Sequence, residues 1–199
     1  IYLSNAKGLN IICGDATPSH TCYFNGQGST QARIFWIENV PFQETISFTG
    51  FKLYSGRSLS SGGAGMHFVY ANSVLEHIWF KYNYGDRGGA LWIEDSNCKL
   101  INCEFNANTS TDSGSGGGGL YIRSGTVNIY GSTFINNVAR NGNDIYKHGG
   151  TMIIHSDCNL AGYEPTAPIS GSSISWYGGS IGGTKNSYGD CKICPGGIY

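Results

Sequence analysis

Residues Gly88 to Tyr146 read as two copies of one unit and the opening of a third: GGALWIEDSNCKLINCEFNAN (88–108), GGGLYIRSGTVNIYGSTFINN (117–137), then GNDIY (142–146). Each copy begins with a glycine pair, runs through two short alternating strands separated by a turn, and closes on Phe-x-x-Asn (Phe105/Asn108, Phe134/Asn137). Upstream, GGAGMHFVYANSVLEHIWFKYN (62–83) has the same layout and ends on Phe80/Asn83. The glycine openings at Gly62, Gly88, Gly117 and Gly142 recur with a period of roughly 25 to 29 residues, in the range that signals a solenoid. A unit this short, with period-two alternation and no helical periodicity, cannot close a core alone and must stack on its neighbours. The expected fold is all-β, a single-stranded right-handed parallel β-helix of about seven coils, taken as length over repeat.

Stacking converts sequence position into columns, because each residue lies over its equivalent about 4.8 Å along the axis. Aligned on their glycines, the repeats give Leu91, Leu120, Ile145; Trp92, Tyr121, Tyr146; Ile93, Ile122, Lys147; and Glu94, Arg123, His148. Alternation places the aliphatic columns inside and the aromatic and charged columns outside. In the second strand Leu75, Leu100 and Ile129 form an inner column, and Phe80, Phe105 and Phe134 another. Asn83, Asn108 and Asn137 then fall at a turn, where stacked amides satisfy the backbone polar groups of the corner.

The N-terminal residues 1 to 30 alternate weakly and form an opening coil that should include a cap, since an uncovered coil presents unpaired N–H and C=O groups. In the next stretch, Pro41 cannot donate to a ladder and marks a corner between two strands. Ser110 to Gly119 (STDSGSGGGG) reads as a flexible insertion at a coil corner. The domain reading is a β-helix with N-terminal cap over 1–160, a terminal coil or cap over 161–190, and the start of a cysteine-rich module over 191–199. The chain begins at Ile1 without Met or a charged-then-apolar leader, so it reads as a mature or partial chain.

Composition narrows the class. The 199 residues include 31 Gly and 13 Tyr, only 13% are charged and the formal net charge is -1, so there is no electrostatic footprint for nucleic acid or an anionic membrane. No apolar run reaches the eighteen or so residues of a membrane span. The seven cysteines, Cys13, Cys22, Cys98, Cys103, Cys158, Cys191 and Cys194, are dispersed. Only Cys191-Lys-Ile-Cys194 has metal-like spacing, and no second pair accompanies it, so no metal or other cofactor is expected. Disulfides in an oxidising compartment are the expected use: Cys13–Cys22 and Cys98–Cys103 locally, and Cys158 with Cys191 or Cys194.

Two repeat motifs, GGAL with FNAN and GGGL with FINN, resemble the repeats of chlamydial polymorphic outer-membrane proteins and of secreted parallel β-helix proteins of protists and algae. FINNVARNGNDIYKHGGTMIIHSDC (134–158) looks like the last coil of the protist proteins, and CKICPGGIY (191–199) resembles the opening of an ephrin-receptor-like cysteine-rich module. The resemblance implies a secreted or cell-surface protein, often modular, with structural or adhesive roles and no shared catalytic residues. Residues 51–54 (FKLY) depart from the pattern where Phe-x-x-Asn would stand.

Enzymes also use β-helices, and catalysis on such a scaffold places definite demands on the carboxylates. A calcium-dependent polysaccharide lyase needs several carboxylates converging on the ion and a base near the scissile bond. The charged column alternates in sign, Glu94 then Arg123 then His148, while Asp86, Asp95, Asp112 and Asp144 fall at turns or in the glycine insertion. A glycosidase needs two carboxyls about 5 to 10 Å apart, but the adjacent Glu94 and Asp95 point to opposite faces of a strand. No catalytic residue is assigned and the chain is read as a non-enzyme.

Functional content rests on the outer face of Trp92, Tyr121 and Tyr146, flanked by Glu94, Arg123 and His148, with Tyr130 on the next face. Rings repeated along a flat sheet suit burial against another subunit or stacking on sugars. The leading expectation is an extracellular structural unit of a surface or filamentous assembly, whose partners are other copies or neighbouring modules. A polysaccharide-binding adhesin is the alternative, and a lyase- or hydrolase-like enzyme the second alternative. Asn108-Thr109-Ser110 is a glycosylation sequon at the edge of the insertion. An ice-binding face would need a regular Thr array, and Thr126, Thr133 and Thr151 are not expected to share a column.

Overall fold

A computed structural model describes residues 1–13, 22–27, 31–60, 62–114 and 116–155, and the backbone of three further strands, Asn159–Ala161, Ile169–Gly171 and Ser175–Tyr177. The chain winds into a four-sided β-solenoid. Its first face stacks Tyr2–Ser4, Phe35–Glu38, Met66–Val69, Leu91–Glu94, Leu120–Ile122, Ile145–Lys147 and Ile169–Gly171. The second stacks Asn10–Ile12, Ile46–Thr49, Asn72–Glu76, Ser96–Ile101, Gly125–Tyr130, Thr151–His155 and Ser175–Tyr177. Cys22–Asn25, Phe51–Tyr54, Trp79–Lys81, Glu104–Asn106, Thr133–Ile135 and Asn159–Ala161 make the third, and the two-residue strands Gln31–Ala32, Arg57–Ser58, Tyr84–Gly85 and Thr109–Ser110 the fourth.

Every pairing is parallel except Gln31–Ala32 with Arg57–Ser58. Two faces keep seven strands, the third six and the fourth four. The regular solenoid therefore amounts to about five turns rather than seven. Length over repeat overcounts the complete turns because, among the described residues, the four faces do not all carry seven strands.

The register is the one the glycine alignment predicts. Leu91 pairs with Leu120 and Leu120 with Ile145, while Phe80, Phe105 and Phe134 share a column. Those three rings stack face to face, 4.6 Å and then 4.4 Å between centroids, and are fully buried. Residues 51–54 fit once shifted: Leu53, not Phe51, lies beneath Phe80, and Gly56 stands where the later coils carry asparagine.

Each corner turns on a residue in the left-handed region, which costs little for Gly or Asn and more for other residues. At the third corner these are Ser55, Tyr82, Ala107 and Asn136, with φ between 50° and 56°. Ahead of four first-face strands, Met66–Val69, Leu91–Glu94, Leu120–Ile122 and Ile145–Lys147, they are Gly63, Gly88, Gly117 and Gly142, with φ between 58° and 77°. Beyond conformation, the glycine pair leaves room for its own turn and for the next coil: a Cβ on Gly88 would meet the Leu91 carbonyl of the same coil at 2.2 Å and Tyr121 Cβ of the next at 3.0 Å, and one on Gly89 the Gly118 carbonyl of the next coil at 2.4 Å. The pair at the head of the unit is thus a backbone-to-backbone contact surface.

A buried amide ladder runs up the third corner. Asn83 Nδ2 donates to Asn108 Oδ1 and Asn108 Nδ2 to Asn137 Oδ1, both at 2.9 Å. Each Oδ1 also accepts the backbone N–H of the preceding coil's asparagine, or of Gly56, and each Nδ2 donates to a backbone carbonyl, Leu53, Phe80 or Phe105. The ladder terminates on Asp144, whose Oδ1 accepts from Asn137 Nδ2 at 2.9 Å. The sequon is therefore overturned as a glycan site, because the Asn108 side chain is fully buried and both its amide hydrogens are already engaged.

Three further expectations change. Cys98 and Cys103 are free buried thiols, since residues 98 to 101 alone span about 10 Å of strand and a disulfide needs Cα atoms within about 7 Å. Burial pushes both thiols up to about 12. Cys13–Cys22 is a disulfide with Cα atoms 5.6 Å apart; Cys158, Cys191 and Cys194 lie outside the described residues. Gly116 to Gly119, the end of the supposed flexible insertion, are buried and hydrogen-bonded into the stack, Gly117 N to Asn141 O at 3.1 Å and Gly89 N to Gly117 O at 3.0 Å. Thr126 and Thr151 do share a column, continuing that of Asn72 and Asn97, so the row is mixed Asn and Thr.

Two outcomes follow from the ladder. Asn108→Ala leaves buried amide and carbonyl groups unsatisfied and should lower unfolding free energy by about 3 kcal/mol, against little change for the exposed Asn97→Ala, both read by urea denaturation. Burial pushes the Asp144 carboxyl up to about 7, partly opposed by the Asn137 hydrogen bond. The folded chain then holds a proton that the unfolded chain releases near pH 4, so stability should rise as pH falls from about 7 towards 4. Asp144→Asn should flatten that dependence in a series of thermal melts.

Candidate functional site

The outer column of the first face is longer than the repeats alone suggest. Tyr2, Trp36, His67, Trp92, Tyr121 and Tyr146 are successive register partners. Their rings form one continuous spine: Trp36 stacks on His67 at 5.7 Å and His67 on Trp92 at 4.7 Å. Trp92 meets Tyr121 edge-on at 5.4 Å, and Tyr121 stacks on Tyr146 at 5.7 Å. The signal for the three upstream members is a ring flanked by core residues, as in Phe35-Trp36-Ile37 and Met66-His67-Phe68. Glycine alignment could not reach Trp36 or Tyr2, because no glycine pair leads those strands.

This column points outward yet is largely covered. Trp92 is 7% exposed and Tyr121 3%, whereas Trp36 is 38% and Tyr2 60%. The glycine-led connections fold back over the rings: a Cβ on Gly62 would stand 2.3 Å from Trp92 Cε3, and one on Gly88 3.0 Å from Tyr121 Cβ. Arg87 adds its guanidinium 6.0 Å from the Trp92 ring and is tied to Asp112 at 2.6 Å. The expected open aromatic face at Trp92 and Tyr121 is thereby corrected: alternation fixes which side of the sheet a residue faces, and the connections decide whether that side is wet.

His67 lies between two indole rings with neither ring nitrogen hydrogen-bonded. Burial, reinforced by the charges of Arg33 and Arg123, pulls it down to about 3. It is therefore neutral, and its 3.7 Å approach to Glu94 is not an ion pair. Glu94 is instead bound by Arg123 Nη1 across the coils. His148 is exposed at the next level, and Tyr130 stacks on His155 at 3.7 Å on the second face. The column Glu94, Arg123, His148 thus spends its one carboxylate on a cation, which leaves no convergent acid–base pair there. Among the described residues no group of three or more His, Cys, Asp or Glu is placed to hold a metal ion, and no helix is long and apolar enough to cross a membrane.

Several exposed apolar side chains lie on the first coil, Ile1 at 58%, Ile12 at 61% and Tyr23 at 65%, beside Tyr2; others, among them Phe42, Tyr70, Tyr82 and Val138, are scattered over later coils. The inward residues of that coil are also incompletely covered. Leu3, Ile11 and Phe24 are half-buried, while the residues they pair with, Ile37, Phe48 and Leu53, are fully buried.

The fold defines the class, a parallel β-solenoid. No family model matches the chain, and no curated protein or solved structure matches it. The likeness to polymorphic outer-membrane repeats rests on the repeat motifs alone, and the segment CKICPGGIY lies outside the described residues.

If the spine is structural, Trp92→Ala behaves as a core truncation and costs about 3–5 kcal/mol, whereas Arg123→Ala, which cuts a half-exposed pair, costs under about 1 kcal/mol. Equilibrium denaturation separates them, and a small Trp92 effect would return that ring to the surface.

Proposed function

We propose that this chain is a structural unit of an extracellular β-solenoid assembly, joined to other copies or to neighbouring modules through its first coil, with no catalysis of its own. The observation that carries the reading is the half-covered core of that coil. Leu3, Ile11 and Phe24 face inward but are half-buried and, among the described residues, the strands that carry them are paired on one side only. Apolar surface left in contact with water at a strand edge favours addition of a further coil, through both burial and backbone pairing. A contact between unlike ends of the same molecule does not close on itself and propagates as a filament.

The Cys13–Cys22 disulfide supports an oxidising compartment. Engagement of Glu94 by Arg123 supports a non-catalytic face. An adhesin built on Trp92 and Tyr121 has less support, because a sugar cannot stack on covered rings.

Sedimentation velocity and negative-stain microscopy test the reading. Wild-type protein should lengthen with concentration, and Leu3→Glu with Ile11→Glu should remain monomeric with an unchanged melting profile above the first coil. Wild-type protein that stays monomeric at every concentration overturns it.

A further inference from the structure

The third face carries a second set of outward rings, and these are interleaved with cations. Its outer columns run Tyr23, Lys52, Trp79, Glu104 and Asn25, Tyr54, Lys81, Asn106. Tyr23 stacks on Tyr54 at 5.5 Å. The Lys52 ammonium sits between two levels, 5.1 Å from the Tyr23 ring and 4.9 Å from the Trp79 ring, and 3.4 Å from the Tyr23 hydroxyl. Lys81 lies 5.1 Å from the Tyr82 ring at the corner, and Arg57 caps Tyr84 at 5.0 Å just round it.

Unlike the first face, this surface is open. Tyr23 is 65% exposed and Tyr82 57%, because the left-handed corner throws Tyr82 outward. Glu104 follows Trp79 in one column and accepts from Asn106, which follows Lys81 in the other, at 3.0 Å, while Glu76, on the second face, lies 3.9 Å from His77. Lys52 and Lys81 are thereby held with their rings on adjacent coils of one sheet, about 4.8 Å apart, and Arg57 stands at the Lys52 level on the neighbouring face.

We propose that this strip binds an acidic polysaccharide carrying one carboxylate per sugar. The rings offer apolar faces and edges to the sugar carbons, while Lys52, Lys81 and Arg57 meet the carboxylates. Rings and cations alternate along the strip, which matches a chain in which ring and charge also alternate. A densely sulfated polymer would need more cations and no rings. Cation–π contact fixes each ammonium in advance, so little side-chain freedom is lost on binding. The strip lies on the side of the solenoid and does not depend on assembly through its end.

Affinity electrophoresis in gels containing alginate, neutral dextran or dextran sulfate tests the inference. Wild-type protein should be retarded by alginate and not by dextran. Lys52→Glu with Lys81→Glu should abolish retardation, and Trp79→Ala should weaken it at least about fivefold. Tyr82→Asn suits the left-handed corner and so keeps the fold; it should also weaken binding, with the melting profile as control. Absence of alginate retardation, full binding by both ring variants, or retardation by dextran sulfate alone overturns the proposal.

Discussion

Coil-to-coil register is the constraint on which this molecule depends, and the buried amides at the third corner enforce it. A solenoid corner interrupts the strand ladder and strands backbone donors and acceptors inside the protein, where each unsatisfied group costs on the order of 1–3 kcal/mol. Asn83, Asn108 and Asn137 supply one acceptor and two donors at one height per coil, so that corner N–H groups and the carbonyls beside them find a partner. A slip by one residue would break these bonds and turn the neighbouring phenylalanines out of the core. The Phe80–Phe105–Phe134 stack and the amide ladder are two readings of the same register.

The ladder has an end, and the chemistry of that end differs. Asp144 takes the last amide of Asn137 on one oxygen and leaves the other buried, which is why a carboxyl there holds its proton more tightly. At the other end of the molecule the opposite situation holds. The first coil leaves its core residues half-covered, and the proposed assembly is the physical completion of that core. The same stacking that satisfies the interior also produces long lateral faces, of which the third carries ammonium groups seated on open rings.

Burial of the first-face spine illustrates how side and exposure separate. Trp92 faces outward by alternation, but Gly62, Gly63 and Arg87 close over it. His67 is sealed in the same way and loses its capacity to titrate near neutrality. Outward rings remain accessible where no glycine-led connection returns over them, as at Tyr23 and Tyr82.

Periodicity made the fold, the inner columns and the asparagine row legible, because each follows from local alternation and a fixed repeat, which translate directly into height and face. Leu91 over Leu120 and Phe105 over Phe134 could be stated from sequence for that reason. What lay beyond its reach were properties decided between coils and across loops: the burial of Trp92 and Tyr121, the closure of Asn108 to modification, the separation of Cys98 from Cys103, and the shift that puts Leu53 beneath Phe80. These depend on where a connection returns in space and how far apart two corners stand. One chain's alternation pattern carries neither quantity, and only the wound solenoid fixes both.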